Sequence, residues 1–186
     1  AVPEPRIGFL QEALRWWDRW LKGDQNGAEN DPPYRHYLMD GVRPATWYTD
    51  RPGRWLVDGA PEWPTQRLHL GAQGELLADA GPDFARIIAS PQDCGMDGGE
   101  YCAIWLGPEM PGDQRRDDAL SACFDTGPVA SDVDIVGAPV VRLRLRSDQP
   151  QAQIAVRLTH VHPDGASTRI TYGVLNLSHR NSAAAP

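Results

Sequence analysis

The chain has 186 residues, with 25 acids against 18 bases and a formal charge of −7. That is enough for one domain with a core, and short for two. With no Lys/Arg-rich run it offers no basic face to a phosphate backbone, which sets nucleic acid aside as a partner. No run of ~18 apolar residues exists to span a membrane. The N-terminus shows no charged-then-apolar signal segment, which points to the cytoplasm.

Glycine (18) and proline (17) fall between short apolar runs, a pattern of many short strands joined by turns. One helix is predicted, over residues 7–22. Leu10, Leu14, Trp17 and Leu21 recur at helical spacing, and Ala13, Trp16 and Trp20 widen the stripe. Lys22 followed by Gly23 suits a helix end, a cation in the last turn and a left-handed cap. Each tryptophan brings ~150–250 Å² of mostly apolar surface. Trp16, Trp17, Trp20 and Leu21 are therefore expected to form an interface with another layer, the lining of a ligand cleft being the alternative.

Asp24–Asp31 reads as a solvated polar loop. Its acids and amides could hold calcium, but their order does not match the D-x-[DN]-x-[DN]-G pattern. Pro32-Pro33 opens an extended run, and Tyr34–Met39 is predicted as a strand. Residues 40–65 are loop-rich and carry Trp47, Trp55 and Trp63; Gln66–Leu70 alternates as a short strand, and residues 78–100 are irregular. Val140–Arg146 alternates strictly, with Val141, Leu143 and Leu145 on one face and Arg142, Arg144 and Arg146 on the other, as a half-buried strand would. Ile154–Val161 and Ser167–Leu177, joined at Pro163-Asp164-Gly165, complete an expected three-stranded meander.

Signs of catalysis are scarce. No serine sits in a G-x-S-x-G elbow; Ser167 has Gly165 before it but Arg169 after it, just past a hairpin turn where a hydroxyl is ordinarily solvated. Phosphate-cradling glycine motifs are absent. Cys94, Cys102 and Cys123 are odd in number and lack C-x-x-C spacing, so three reduced thiols are expected, with a Cys94–Cys102 bridge as the alternative. His160 and His162 would project from one strand face, as metal ligands must, yet that face also carries Ile154, Val156 and Leu158, and no third ligand is near in sequence. Hydrogen bonding at the strand end is the expected role; His36, His69 and His179 stand alone and read as structural. The stretch Gly112–Asp118 could supply paired carboxylates for acid–base work. Its arginines would hold them ionised, so Asp113, Arg115, Asp117 and Asp118 are expected to form a salt-bridged structural loop. No catalytic, metal or cofactor-binding residue is assigned and no cofactor is implied. Because aromatic rings stack on sugars, a carbohydrate-binding β-sandwich module using Trp47, Trp55, Trp63 or Trp105 is the rival function.

Taken in order, several segments resemble the C-terminal region of the X-Pro dipeptidyl-peptidase, cocaine esterase and α-amino-acid ester hydrolase family. The helix Gly8–Gly23 is similar to the one that closes that family's catalytic domain. Pro32-Pro33 with Tyr34–Met39 and Gly41 resembles its PP-V-R-Y-x-M-G segment, with Asp40 inserted. Trp47 to Trp55, followed by Trp63-Pro64, is similar to its W-R…W-P landmark. Gly112-Asp113-Gln114-Arg115 with Asp117-Asp118 and Leu120 resembles G-x-x-D-Q-R…D-x-L. Asp132–Pro139, Leu158–Gly165 and Gly173–Arg180 follow in family order, with His160 where the family usually has aspartate.

The resemblance implies a mainly β fold: a jelly-roll, galactose-binding-like β-sandwich with one N-terminal α-helix. Residues 1–23 would end an α/β-hydrolase domain, and residues 24–186 would form the jelly roll. Family members continue beyond the position of Arg180, so an incomplete sandwich is expected. The family's Ser, Asp and His triad lies upstream and maps onto no residue of this chain. The implied partner is the catalytic α/β-hydrolase domain of the same parent chain, with homo-oligomer contacts as a further expectation. The implied role is non-catalytic: supporting that domain and bordering its substrate cleft.

Overall fold

The computed structural model describes residues 4–58, 64–100 and 110–180. Trp63, Cys102 and Trp105, singled out above, lie outside the described residues. The chain is sheet-rich with one N-terminal helix. Among the described residues, three two-stranded antiparallel sheets form from β1 (Tyr34–Met39) with β2 (Gly53–Asp58), β3 (His69–Leu70) with β4 (Leu76–Leu77), and β5 (Gln153–Val161) with β6 (Ser167–Asn176). The chain divides into two compact units.

The first unit contains residues 1–41, 48–66 and 133–136. Its helix α1 (Phe9–Trp17) widens into a π turn over Asp18–Lys22 and stops at Gly23, whose φ of 82° is left-handed and suits a residue without a β-carbon. The loop that follows folds back on the helix's polar side. Asn26 Nδ2 donates to the Arg15 carbonyl at 2.6 Å. Arg15 pairs with Glu12 at 2.9 Å and with Asp31, and Arg19 lies 2.8 Å from Glu29. The Asp24–Asp31 segment is thus tied to the helix by charge rather than freely solvated, and it buries Ala28.

Strand β1 lies where sequence alternation predicts it. Its partner β2 falls in the stretch read as loop. Tyr37 and Trp55 are directly opposed in the register, with ring centroids 5.3 Å apart and planes at 65°. A β-carbon on Gly53 would collide with the Leu38 carbonyl oxygen, so the close approach at this strand end needs glycine.

The second unit contains residues 42–47, 67–132 and 137–186. Its main element is the β5–β6 hairpin, closed through Gly165 at φ 84°, with His162 donating its amide to Ala166 at 2.8 Å. Leu158 pairs with Thr171 and Thr159 with Arg169, so Ile170 is an unpaired extra residue, a β-bulge. The short β3–β4 hairpin is extended by Asp125, which bridges in parallel to Glu75.

Residues 140–146 are the main departure from the sequence reading. They join no sheet, and Val140 and Leu145 are 76% and 48% exposed. Alternation dictates which side chains share a face; a strand also needs a neighbouring edge to accept its main-chain hydrogen bonds. Among the described residues, Ala28 and Ala166 are the buried apolar side chains, whereas Gln114, Asp117 and Ser167 are the fully buried polar ones.

Candidate functional site

Two features of the molecule are built with enough specificity to carry a function: a buried polar node in the second unit and an uncovered apolar helix face in the first.

The node is centred on the short helix α2 (Arg115–Ala119). Asp117 Oδ1 accepts the Gly95 amide at 2.8 Å and Oδ2 the Asp97 amide at 3.3 Å. Arg157 reaches in from β5, 3.2 Å from the Asp117 carboxylate, and donates to Asp118 Oδ1 at 2.9 Å. The same guanidinium donates to Ser121 Oγ at 3.2 Å, and that hydroxyl donates to the Asp117 carbonyl at 2.6 Å. Gln114 donates its side-chain amide to the carbonyls of Asp97 (2.7 Å) and Gly112 (3.0 Å), and its main-chain amide to Ser167 (2.9 Å). Charge-assisted bonds of this kind are the strong ones, and a buried carboxylate needs them to offset its lost hydration. The node fastens the 94–98 loop and the β5–β6 hairpin to α2.

Of the acidic stretch read from sequence, Asp117 and Asp118 turn to Arg157, while Asp113 pairs with Arg115 at 2.7 Å and Arg116 reaches Asp93 at 2.9 Å. Partial burial pushes the Asp113 carboxyl up; the amide of Ser167 and the guanidinium and amide of Arg115 outweigh it and hold the carboxyl below its ordinary value. Arg157 was not legible as a partner because it comes from β5; Gln114 and Ser121 lie beside the acids in sequence but carry no charge that marks the contact.

Ser167 is not solvated as its position after a turn suggested. It is 1% exposed, and its Oγ has no hydrogen-bond partner among the described residues. Nucleophilic attack by serine requires a base within hydrogen-bond reach and an open approach, and this hydroxyl touches neither. Cys94 and Cys123 are free thiols. Cys94 is half-buried against the Asp117 carbonyl (3.7 Å) and Ser121 Oγ (3.5 Å).

His160 and His162 do share a face, with ring centroids 4.2 Å apart. Thr168 donates its hydroxyl proton to the Val42 carbonyl at 2.8 Å, so His162 Nε2, 3.0 Å away, must donate to Thr168 Oγ1. Burial, then the neighbouring His160 and Arg43, hold the His162 pKa below its ordinary value. Among the described residues no three His, Cys, Asp or Glu side chains are grouped as metal ligands.

The helix face is the second feature. Because Arg15 and Arg19 are engaged by the following loop, the opposite side of α1 and its π turn points outward. Trp16, Trp17 and Trp20 are about half exposed and Leu10 and Leu21 are each 74% exposed. The Trp16 and Trp20 ring centroids lie 5.6 Å apart with their planes tilted at 56°, and the Arg19 guanidinium lies 5.7 Å from the Trp20 ring. The face is thus an exposed apolar patch rimmed by charged side chains. Of the tryptophans the carbohydrate reading needs, Trp47 is exposed, while Trp55 donates its ring N–H to the Pro5 carbonyl at 2.9 Å. No helix among the described residues is long and apolar enough to cross a membrane.

Comparison with known proteins gives one consistent answer. The family model for the X-Pro dipeptidyl-peptidase C-terminal non-catalytic domain matches residues 26–186. A protein of Mycobacterium bovis named as a serine esterase is 25% identical over 197 aligned positions, covering 100% of this chain and 29% of that protein; one from Mycobacterium tuberculosis, likewise named as a serine esterase, has the same identity and coverage. The cocaine esterase of a Rhodococcus species is 24% identical, over 95% of this chain and 32% of that protein. The chain thus spans about a third or less of the curated relatives it matches. No solved structure matches it.

Proposed function

The chain belongs, over residues 26–186, to the X-Pro dipeptidyl-peptidase C-terminal non-catalytic domain family, and from that premise we propose that it is the accessory β-rich part of a serine hydrolase cleaving ester or amide bonds. In this reading residues 1–23 close an α/β-hydrolase domain of the parent polypeptide, and residues 24–186 build a jelly-roll sandwich of the galactose-binding type. Trp16, Trp17, Trp20 and Leu21 form the contact with the catalytic domain. Asp113, Arg115, Asp117 and Asp118 are structural, shaping the loop they hold. The domain supports its catalytic neighbour, borders the substrate cleft, contributes to homo-oligomer contacts and works in the cytoplasm.

The observation that carries this reading is the extent of the family match. It covers the β-rich part and leaves the helix outside it, while relatives named as esterases are some three times longer. The uncovered helix face supports it, since burying such a stripe at ~25 cal/mol/Å² contributes several kcal/mol. The test is an assay of the 186-residue chain with p-nitrophenyl esters and X-Pro p-nitroanilides, beside a longer polypeptide that adds an upstream hydrolase domain. Turnover is expected from the longer protein alone. Turnover by the shorter chain, abolished by a serine-directed reagent, would overturn the reading.

A further inference from the structure

Within the second unit, the tip of the β5–β6 hairpin is joined to residues 42–47 by a polar cluster. Thr168 donates its hydroxyl proton to the Val42 carbonyl at 2.8 Å, and Arg43 pairs with Asp164 at the turn. A few residues on, the Thr46 carbonyl accepts the Met110 amide at 2.8 Å. His162 stands behind the first of these bonds, its Nε2 3.0 Å from Thr168 Oγ1. Its half-buried ring lies against that of the exposed His160, with centroids 4.2 Å apart and planes at 35°.

Two imidazoles this close repel once both are charged. Thr168 gives its proton to Val42, so neutral His162 carries its own on Nε2, and acid adds the second at Nδ1. That addition leaves the Thr168 bond in place and changes only the charge. His162 is faced by His160 and Asp164 from its own strand and turn, and by Arg43 and the Val42 carbonyl from residues 42–47. Asp113, which accepts the Ser167 amide at 3.1 Å, is already paired with Arg115. On β6, Arg169 lies over the Tyr172 ring, 4.5 Å from its centroid. Charging both imidazoles therefore sets His160, His162 and Arg43 against the Asp164 carboxylate.

We propose that His160 and His162 form an acid-sensitive latch, which holds residues 42–47 on the hairpin tip while the rings are neutral and releases them when both are protonated. Burial, His160 and Arg43 outweigh the Val42 carbonyl and Asp164, and keep the His162 pKa below the ordinary 6.5. A detached tip thus takes up the proton first. The attachment is at full strength above about pH 6.5 and weakens as pH falls toward the folded value. The node around Asp117 contains no histidine and stays closed over the same range. The latch uses residues of this chain alone and stands apart from the hydrolase reading.

The test compares the 186-residue chain at about pH 7.5 and about pH 5, a window in which histidine changes charge. Nuclear magnetic resonance titration of the His160 and His162 rings is expected to show two coupled steps. Amide exchange, corrected for its intrinsic pH dependence, is expected to accelerate at Met110 by about tenfold or more on acidification. Gln114, whose amide is held by the Ser167 carbonyl at 2.9 Å, is expected to keep its protection. His160→Gln, at an exposed position and checked for folding by circular dichroism, is expected to raise the His162 pKa and remove most of the acid response. Thr168→Val is expected to accelerate Met110 exchange at both pH values. Any of three results would overturn the proposal: equal Met110 protection at both pH values, equal acceleration at Met110 and Gln114, or an undiminished acid response in folded His160→Gln.

Discussion

The guanidinium of Arg157 lies 3.2 Å from the carboxylate of Asp117, a side chain with no exposed surface, and reaches it from a strand forty residues further along the chain. Two backbone amides complete the shell around that carboxylate. Removing the acid leaves those amides and part of the guanidinium without partners. Asp117→Ala is expected to destabilise the chain by about 3 kcal/mol, and Asp117→Asn by about half as much, because the amide oxygen still accepts a hydrogen bond. Urea unfolding of the two variants beside the wild type measures this order.

Ser167 gives a prediction of opposite sign. Its buried Oγ pairs with nothing among the described residues, so the folded state carries the cost of dehydrating a hydroxyl with no return. Ser167→Ala is expected to leave stability unchanged or to raise it by about 1 kcal/mol. A fall of that size in thermal unfolding would show that the hydroxyl has a partner.

Asp113 ties pH to stability. Its folded pKa lies below the ordinary ~3.9 of aspartate, so the unfolded chain takes up its proton first. The contribution is present above about pH 4 and is lost as pH falls through the folded value. Asp113→Asn is expected to flatten this acid limb while leaving the dependence above pH 5 unchanged, as acid-unfolding curves would report.

Leu10 and Leu21 separate folding from association. Both are 74% exposed, so Leu10→Ser with Leu21→Ser is expected to move the stability of the 186-residue chain by no more than about 0.5 kcal/mol per site. In a longer parent the same pair is expected to lower the unfolding midpoint of the whole enzyme. Equal effects in both settings would show that the leucines act within this chain.

Much of the fold was legible. Tyr34–Met39, Ile154–Val161 and Ser167–Asn176 declare themselves through alternation, and Leu10 to Leu21 through helical spacing. β2 escaped notice because Arg54–Asp58 is short and flanked by Pro52 and Gly59, so turn signals dominate its window. α2 has five residues and no apolar stripe. Residues 140–146 show the converse: a strong alternating pattern without a ladder, since periodicity belongs to one segment and pairing to two. The node was half visible. Its acids cluster in sequence, but Arg157 lies 39 and 40 positions from the two acids it meets, a distance that no local pattern spans.

The unpaired Ile170 has a consequence for anyone moving this hairpin into another scaffold. One surplus residue puts Arg169 and Thr171, two apart in the chain, on opposite sides of the ribbon, because each shares the side of its β5 partner, Thr159 or Leu158. Deleting that isoleucine would leave Thr171 and Arg169 adjacent and opposite Leu158 and Thr159, a regular ladder in which the tip keeps its face and Thr168 its side toward the Val42 carbonyl.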